Sequence, residues 1–287
     1  MQRRRFIQNL GLISAVLFQP KMPNLLKNIT NRTPMKVRLL RNATLMLEIG
    51  KYKFLVDPML GDKDSMPPIE MASNNIRIPM VDLPISHHEL NILVNEIDAV
   101  IITHTHRDHW DQAAQELIPK DKLLIGQPED EATFKAQGFS NIQSVDRRFS
   151  WKGITIHRTG GQHGTGEIGK MMAPVSGFVF EYQNQKLYIA GDTIWCPEVQ
   201  DAIDQHQPNH IIVNGGAAQF VQGEPITMTT EDIASVLNYA PTATVTVVHL
   251  DTINHCYQTR AIIRQAFENQ PNAIRLRIPE DGEWVTL

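Results

Sequence analysis

The sequence predicts a layered α/β domain built on two β-sheets with helices outside. Three observations carry this. Short strand-like runs occupy both ends of the chain, helix and strand patterns alternate between them, and several apolar strands stop at a histidine or an aspartate. With 287 residues, 42% apolar and 20% charged, the chain is long enough and apolar enough to bury a sizeable core.

The elements follow in order. After Pro34, "KVRLL", "ATLMLEI" and "KFLVDP" are β-prone runs, separated by hairpin turns at Asn42-Ala43 and Gly50-Lys51. Residues 58–88 are irregular and rich in Gly, Pro, Ser and Met. They read equally as a lid over a site, a fixed loop or an oligomer contact. "LNILVNEI" predicts a short helix and "AVIIT" a fully apolar strand. Then come "DQAAQEL" (helix), "KLLIG" (strand) and "PEDEATFKAQG", a helix with Pro at its start and Gly at its end. "ITIHRT", "SGFVFEY" and "KLYIAG" are strands, "PEVQDAIDQH" a helix and "HIIVN" a strand. "TEDIASVLNYA" is a helix, "TVTVV" a strand and "QTRAIIRQAFEN" a helix, and "AIRLRI" and "EWVTL" close the chain as strands. No internal repeat is visible.

The first 33 residues stand apart. Arg3-Arg4 followed by Phe6-Ile7 and the apolar stretch Leu10–Phe18 resemble a twin-arginine export signal. The alternative is a disordered basic N-terminus of a cytoplasmic protein; export to the periplasm is preferred. The domain proper is expected over residues 34–287. No stretch approaches the ~20 apolar residues of a membrane helix, so stable membrane insertion is not expected. The net charge of −4, without a basic face, argues against nucleic acid as a partner. Two cysteines, Cys196 and Cys256, make neither a disulfide scaffold nor a CxxC zinc site. Histidine must therefore carry any metal chemistry.

The polar strand ends supply it. "FLVDP" stops at Asp57, and "VIITHTHRDH" at His104, His106, Asp108 and His109. "ITIHRTGGQHG" leads to His163, "LYIAGDT" to Asp192 and "TVTVVHLD" to His249. In layered α/β proteins such ends gather at one edge. His104 and His106 are two apart, so at an extended strand end both imidazoles share a face and reach one ion. Asp108 and His109 follow in the turn and can face a second. Neutral imidazole and carboxylate are ligands for Zn²⁺, Mn²⁺ or Fe²⁺.

Other motifs carry less. "GTGEIGK" (164–170) fits a phosphate-loop spacing, but Met171 replaces the Ser/Thr and Pro174 breaks a following helix; its glycines are expected to turn the chain around His163. "NGGAAQF" (214–220) is either an approach to the metals or a plain turn. His255 is expected either to contact substrate or to be a polar helix start. Cys256 is expected to be a small buried residue, His87 and His88 solvated, and His206 and His210 at the surface. His157 is expected on the outward face of its strand.

H-x-H-x-D-H with distal His, Asp and His resembles the metallo-β-lactamase fold superfamily, from about Lys36 to the C-terminus. "ATLMLEIGKYKFLVDPML", "YIAGDTIW" and "VVHLDTINHC" look most like its ascorbate-6-phosphate lactonase-like branch. The resemblance implies a four-layer αββα sandwich and two divalent ions, zinc before manganese or iron. It implies that His104, His106 and His163 hold the first ion, that Asp108, His109 and His249 hold the second, and that Asp192 bridges them. Asp57 orients a ligand, and Asp108 is also the expected catalytic residue, holding the hydroxide. A metal lowers the pKa of bound water to about 7, so hydroxide is available at neutral pH. Two ions outweigh the two aspartates, which predicts an electropositive site and a small, anionic substrate: an ester, lactone or phosphoester. The runner-up is a phosphodiesterase. An iron-dependent oxidoreductase and a non-catalytic metal-binding protein are the readings from other classes. The fold name does not make β-lactams the substrate. A homo-oligomer is compatible with the sequence.

Overall fold

The computed structural model describes residues 35–287, so the expected export signal lies outside the described residues. Two seven-stranded sheets face each other. The first contains β1 (Lys36–Arg41), β2 (Thr44–Ile49), β3 (Tyr52–Val56), β4 (Ala99–Ile102), β5 (Leu123–Gly126) and β6 (Ile142–Ser144). The C-terminal strand β14 (Trp284–Thr286) lies on the edge of the same sheet, against β1. The second contains β7 (Arg148–Trp151), β8 (Ile154–Thr159), β9 (Gly177–Tyr182), β10 (Gln185–Ile189), β11 (His210–Asn214), β12 (Thr244–Val248) and β13 (Leu276–Arg277). Each sheet begins as an antiparallel meander and continues as parallel strands with helical crossovers.

Burial explains why these segments are strands. Leu45, Leu47, Phe54, Val56, Ala99 and Ile101 meet Ile154, Ile156, Phe178, Phe180, Leu187 and Ile189 between the sheets. Val100 and Ile102, the alternate residues of β4, face outward into a second core. That core is closed by α1 (His87–Glu96), α2 (Gln112–Leu117) and α3 (Glu131–Ala136). β4 is apolar throughout because both its faces are covered. On the far side, α5 (Pro197–His206), α6 (Thr230–Tyr239) and α7 (Arg260–Phe267) cover the second sheet. The architecture is the expected αββα sandwich.

Several local expectations change. α1 starts at His87 because Ser86 and Glu89 form a capping box, three residues before the apolar run. Both hairpin turns fall as expected at residues 42–43 and 50–51. The first half of "AIRLRI" belongs to a 3-10 turn over Pro271–Arg275, leaving only β13 as strand. β6 and β7 went unread, being short and half-polar. A six-residue helix, α4 (Gly166–Met171), sits in the glycine-rich stretch after His163.

Residues 58–86 are irregular but tied down. Arg41, fully buried, donates through Nη1 to Val81 O (3.0 Å) and through Nη2 to Met59 O (2.9 Å) and to Gly61 O. Burial pulls its pKa to about 10, yet it stays charged. Asn254 accepts from Ile69 N (2.8 Å) and donates to Asn74 O (3.0 Å). These bonds hold the segment on the domain as a cover. Among the described residues no helix is long and apolar enough to cross a membrane. Arg41→Met should lower the unfolding free energy by about 3 kcal/mol, because it strands two buried carbonyls and a part-buried one. An unchanged urea midpoint would contradict this account of the cover.

Candidate metal centre

The strand ends meet as the sequence predicts. Asp57 leaves β3 with φ of 44° and organises the turn beyond β4. Its Oδ1 accepts from Thr103 N (2.8 Å), and its Oδ2 accepts from Thr103 Oγ1 (2.7 Å). Asp57 Oδ2 also lies 2.9 Å from His109 Nδ1, which turns His109 Nε2 toward Asp108 and Asp192. Since the Thr103 hydroxyl proton goes to Asp57, its oxygen accepts from His104 Nδ1 (3.1 Å) and leaves His104 Nε2 as a free lone pair. His163 Nδ1 donates to the Ile226 carbonyl (2.8 Å), which frees its Nε2 likewise.

Two further loops complete the set. Gly191 precedes Asp192 with φ of 71°, where a Cβ would stand 2.7 Å from Ser176 O, so only glycine fits. Asn214, at the end of β11, donates to Asp192 Oδ1 (2.6 Å) and leaves Oδ2 pointing at the histidines. Asn42 receives the His249 N–H (2.8 Å) and donates to Asp108 O (2.9 Å), which locks those two ligand loops together.

The seven residues read as ligands form two groups among the described residues: His104, His106 and His163, and Asp108, His109, Asp192 and His249. In the first, His104 Nε2 and His106 Nδ1 are 3.0 Å apart. In the second, His109 Nε2 is 3.1 Å from Asp192 Oδ2 and 3.5 Å from Asp108 Oδ2, and His249 Nε2 is 3.2 Å from Asp108 Oδ2. Asp192 Oδ2 also lies 3.6 Å from His163 Nε2 and 3.9 Å from His104 Nε2, and so stands between the groups. Ligand atoms about 2.0–2.2 Å from a tetrahedral ion are about 3.3–3.6 Å apart, so the donor set fits divalent ions. His109 Nε2 is buried without a hydrogen-bond partner despite two nearby carboxylates, which an ion between them would explain.

Electrostatics divide the groups. Burial, then the charge of His109, pushes His104 well below its ordinary value, and burial lowers His106 and His163. Burial opposes charge on His109 too, but Asp192, Asp108 and Asp57 outweigh it and lift its pKa to about 10. His249 is raised well above its ordinary value, with burial overcome by Asp192 and the hydrogen bond with Asp108. Burial would raise Asp108 and Asp192, yet His109 and His249 hold both well below the carboxylate range.

A 190 Å³ cavity opens over the centre. His106, Asp108, His163 and Asp192 form its floor, and Ile69, Met172, Phe220 and Ile226 its apolar walls. His255 lines it too, 6% exposed, with a buried Nδ1 that has no hydrogen-bond partner. Asp57 does not line it; it stands behind His109. Sequence reasoning missed Thr103, Asn42 and the four walls. "NGGAAQF" does approach the centre, through Asn214 and Phe220. Cys256 is half-buried, its Sγ 3.7 Å from His249 Nδ1. His87 and His88 are exposed as expected, whereas His206, expected at the surface, is buried under the end of its own helix.

Comparison with known proteins gives this geometry a family. The model of the β-lactamase superfamily domain matches residues 52–250. The UPF0173 protein YddR of Bacillus subtilis strain 168 is 35% identical over 257 residues, spanning 88% of this chain and 100% of the relative. The chain belongs to the β-lactamase superfamily, in its UPF0173 group. A solved structure of a possible metal-dependent hydrolase from Veillonella parvula DSM 2008 matches with a TM-score of 0.84 and 35% identity, over 88% of this chain and 100% of that one. An isothiocyanate hydrolase from Delia radicum gut bacteria matches with a TM-score of 0.83 and 37% identity, over 88% and 99%.

Three outcomes follow for this UPF0173 member. In the metal-free chain the raised pKa of His109 contributes stability that is complete below pH 6.5 and lost as pH rises toward 10. A metal held by His109 and His249 would displace their protons, so at pH 7 its binding should release protons and its affinity should rise with pH. Calorimetry in buffers of different ionisation enthalpy measures this; buffer-independent heats would refute it. Asp57→Asn loosens His109 and should weaken metal retention about 10- to 100-fold, read by chelator competition.

Proposed function

We propose that the chain is a metal-dependent hydrolase acting on a small electrophile that carries an apolar substituent: an ester, a lactone or an isothiocyanate. The observation that carries this is the cavity, which sets four apolar walls directly above the clustered imidazoles and carboxylates. Pockets for drug-sized ligands are about 300–1,000 Å³, and 190 Å³ is below that range, which favours a small molecule over a polymer. Lactones stay in the substrate class through the lactonase-like resemblance of the strand-end motifs. Isothiocyanates enter through the 37% identical neighbour that carries that name.

His104, His106 and His163 would hold one ion, Asp108, His109 and His249 a second, and Asp192 both, with zinc as the expected metal. When bound, such ions supply Lewis acidity and hydroxide at neutral pH. The protein's own residues do the rest. Asp108, on the cavity floor, accepts a hydrogen bond from the attacking water and orients it. Ile69, Met172, Phe220 and Ile226 seat the apolar substituent and exclude bulk water. His255, which burial pushes to about 4 and so keeps neutral, presents its unpartnered Nδ1 to a polar atom of the substrate. Arg107 also lines the cavity; its Nη2 donates to Pro68 O (2.6 Å), which fixes the guanidinium but leaves its positive charge beside the centre. The anionic charge that the electropositive centre favours is also the one that develops on the heteroatom bonded to the attacked carbon.

The test is a parallel panel of lactones, simple esters, alkyl and benzyl isothiocyanates, β-lactams, and phosphomono- and diesters, on the metal-loaded full chain. Turnover should appear among the first three classes and fall at least about 100-fold in Asp192→Ala. His255→Ala should raise KM or lower kcat with the metal content unchanged. Phosphodiester turnover alone would replace this reading with the phosphodiesterase one. No turnover in any class, with metal bound, would overturn it.

A further inference from the structure

The second sheet carries another cluster of ligand-type side chains, on its outer face. We infer that His157, Glu181 and His206 form a separate divalent-metal site that ties α5 to the sheet. This goes beyond the hydrolase reading and does not depend on it.

The topology makes the cluster. On β8 and β9 the Cα partners are Thr155 with Glu181 and His157 with Val179, so His157 and Glu181 are diagonal neighbours on one face. Ile154 and Ile156 point the other way, into the core between the sheets. α5 lies across this outer face and ends at His206, which comes down onto His157 with ring centroids 4.6 Å apart. One ligand atom from each of the three residues lies within 4.8 Å of the other two.

The contacts fit an ion better than an ordinary ion pair. His157 Nε2 is 3.3 Å from Glu181 Oε2, the separation of two ligands on one tetrahedral ion. Yet Nε2 is buried and makes no hydrogen bond, which an imidazolium paired with that carboxylate would do. A second imidazole packed on the first adds repulsion if both carry protons, and a shared ion removes it. Lys186 Nζ binds the other oxygen, Glu181 Oε1 (3.1 Å), and the His206 carbonyl (2.9 Å). It thereby aims Oε2 at the histidines, the way outer hydrogen bonds orient metal ligands. The site also stands at the C-terminal end of a ten-residue helix, where the dipole favours a cation. Two imidazoles and one carboxylate suit zinc or a neighbouring transition ion, with the fourth position left to solvent.

The consequence is structural. β8 runs on toward His163, so an ion here would brace the strand that delivers a ligand to the main centre.

The experiment uses the full chain loaded with zinc, freed of excess by gel filtration and assayed by inductively coupled plasma mass spectrometry. His206→Asn and Glu181→Gln should each hold one equivalent less zinc per chain than the unsubstituted protein. Zinc should raise the melting temperature of both less than it raises that of the unsubstituted chain, while turnover stays within twofold. Glu181→Gln, at a half-exposed position, decides the matter if His206→Asn fails to fold. An anomalous zinc peak among the three side chains in a crystal would support the site. Equal zinc content in the unsubstituted and variant chains, or no peak at full zinc loading, would overturn it.

Discussion

Three carboxylates, Asp57, Asp108 and Asp192, are buried around one imidazole, that of His109. Removing that much negative charge from water is costly unless positive charge is supplied in its place. The metal-free protein supplies it as protons on His109 and His249. Much of the surrounding structure meets the same demand: Asn214 covers one oxygen of Asp192, Thr103 covers both oxygens of Asp57, and Asn42 joins the two loops. The histidines of the other group lie deep enough to stay neutral. One centre thus contains a pocket of ready ligands beside a pocket that must first give up protons.

Much of this was legible in the sequence because it depends on local pattern. "AVII" is apolar without alternation, and the strand is covered on both faces. His104 and His106 share a face because strand residues two apart do so. The end of each apolar strand was readable, and the edge on which the ends gather follows from the sheet order. What escaped depends on distant contacts. Ile69, Met172, Phe220 and Ile226 come from three separate stretches and look like any other apolar residues until folding places them over the aspartates. His206 reads as polar surface at a helix end, and only the seating of α5 on β8 buries it. Thr103 and Asn42 are small residues whose importance lies in the hydrogen bonds they make to partners far along the chain.

The two sheets also share a plan that the residues conceal. Each opens with an antiparallel meander and closes with parallel strands reached through helices. In each, site residues leave the parallel strands at their C-terminal ends: Asp57, His104 and His106 after β3 and β4, Asp192 and His249 after β10 and β12. That is where open α/β sheets place their chemistry. The centre is therefore shared between the sheets, and neither carries a full ligand set.

The pairing of Asn254 with the cover has its own consequence. Its side-chain amide binds Ile69 through both N–H and C=O, and its backbone carbonyl receives Asn74 Nδ2. It acts on the cover as a neighbouring strand would. Asn254 directly precedes His255 and lies five residues beyond His249, so the cavity wall at Ile69 and the loop after β12 are held by one residue. For protein engineering, the two form a single cassette: a foreign cover grafted without its matching residue at 254 would leave unmet amides beside the reaction chamber.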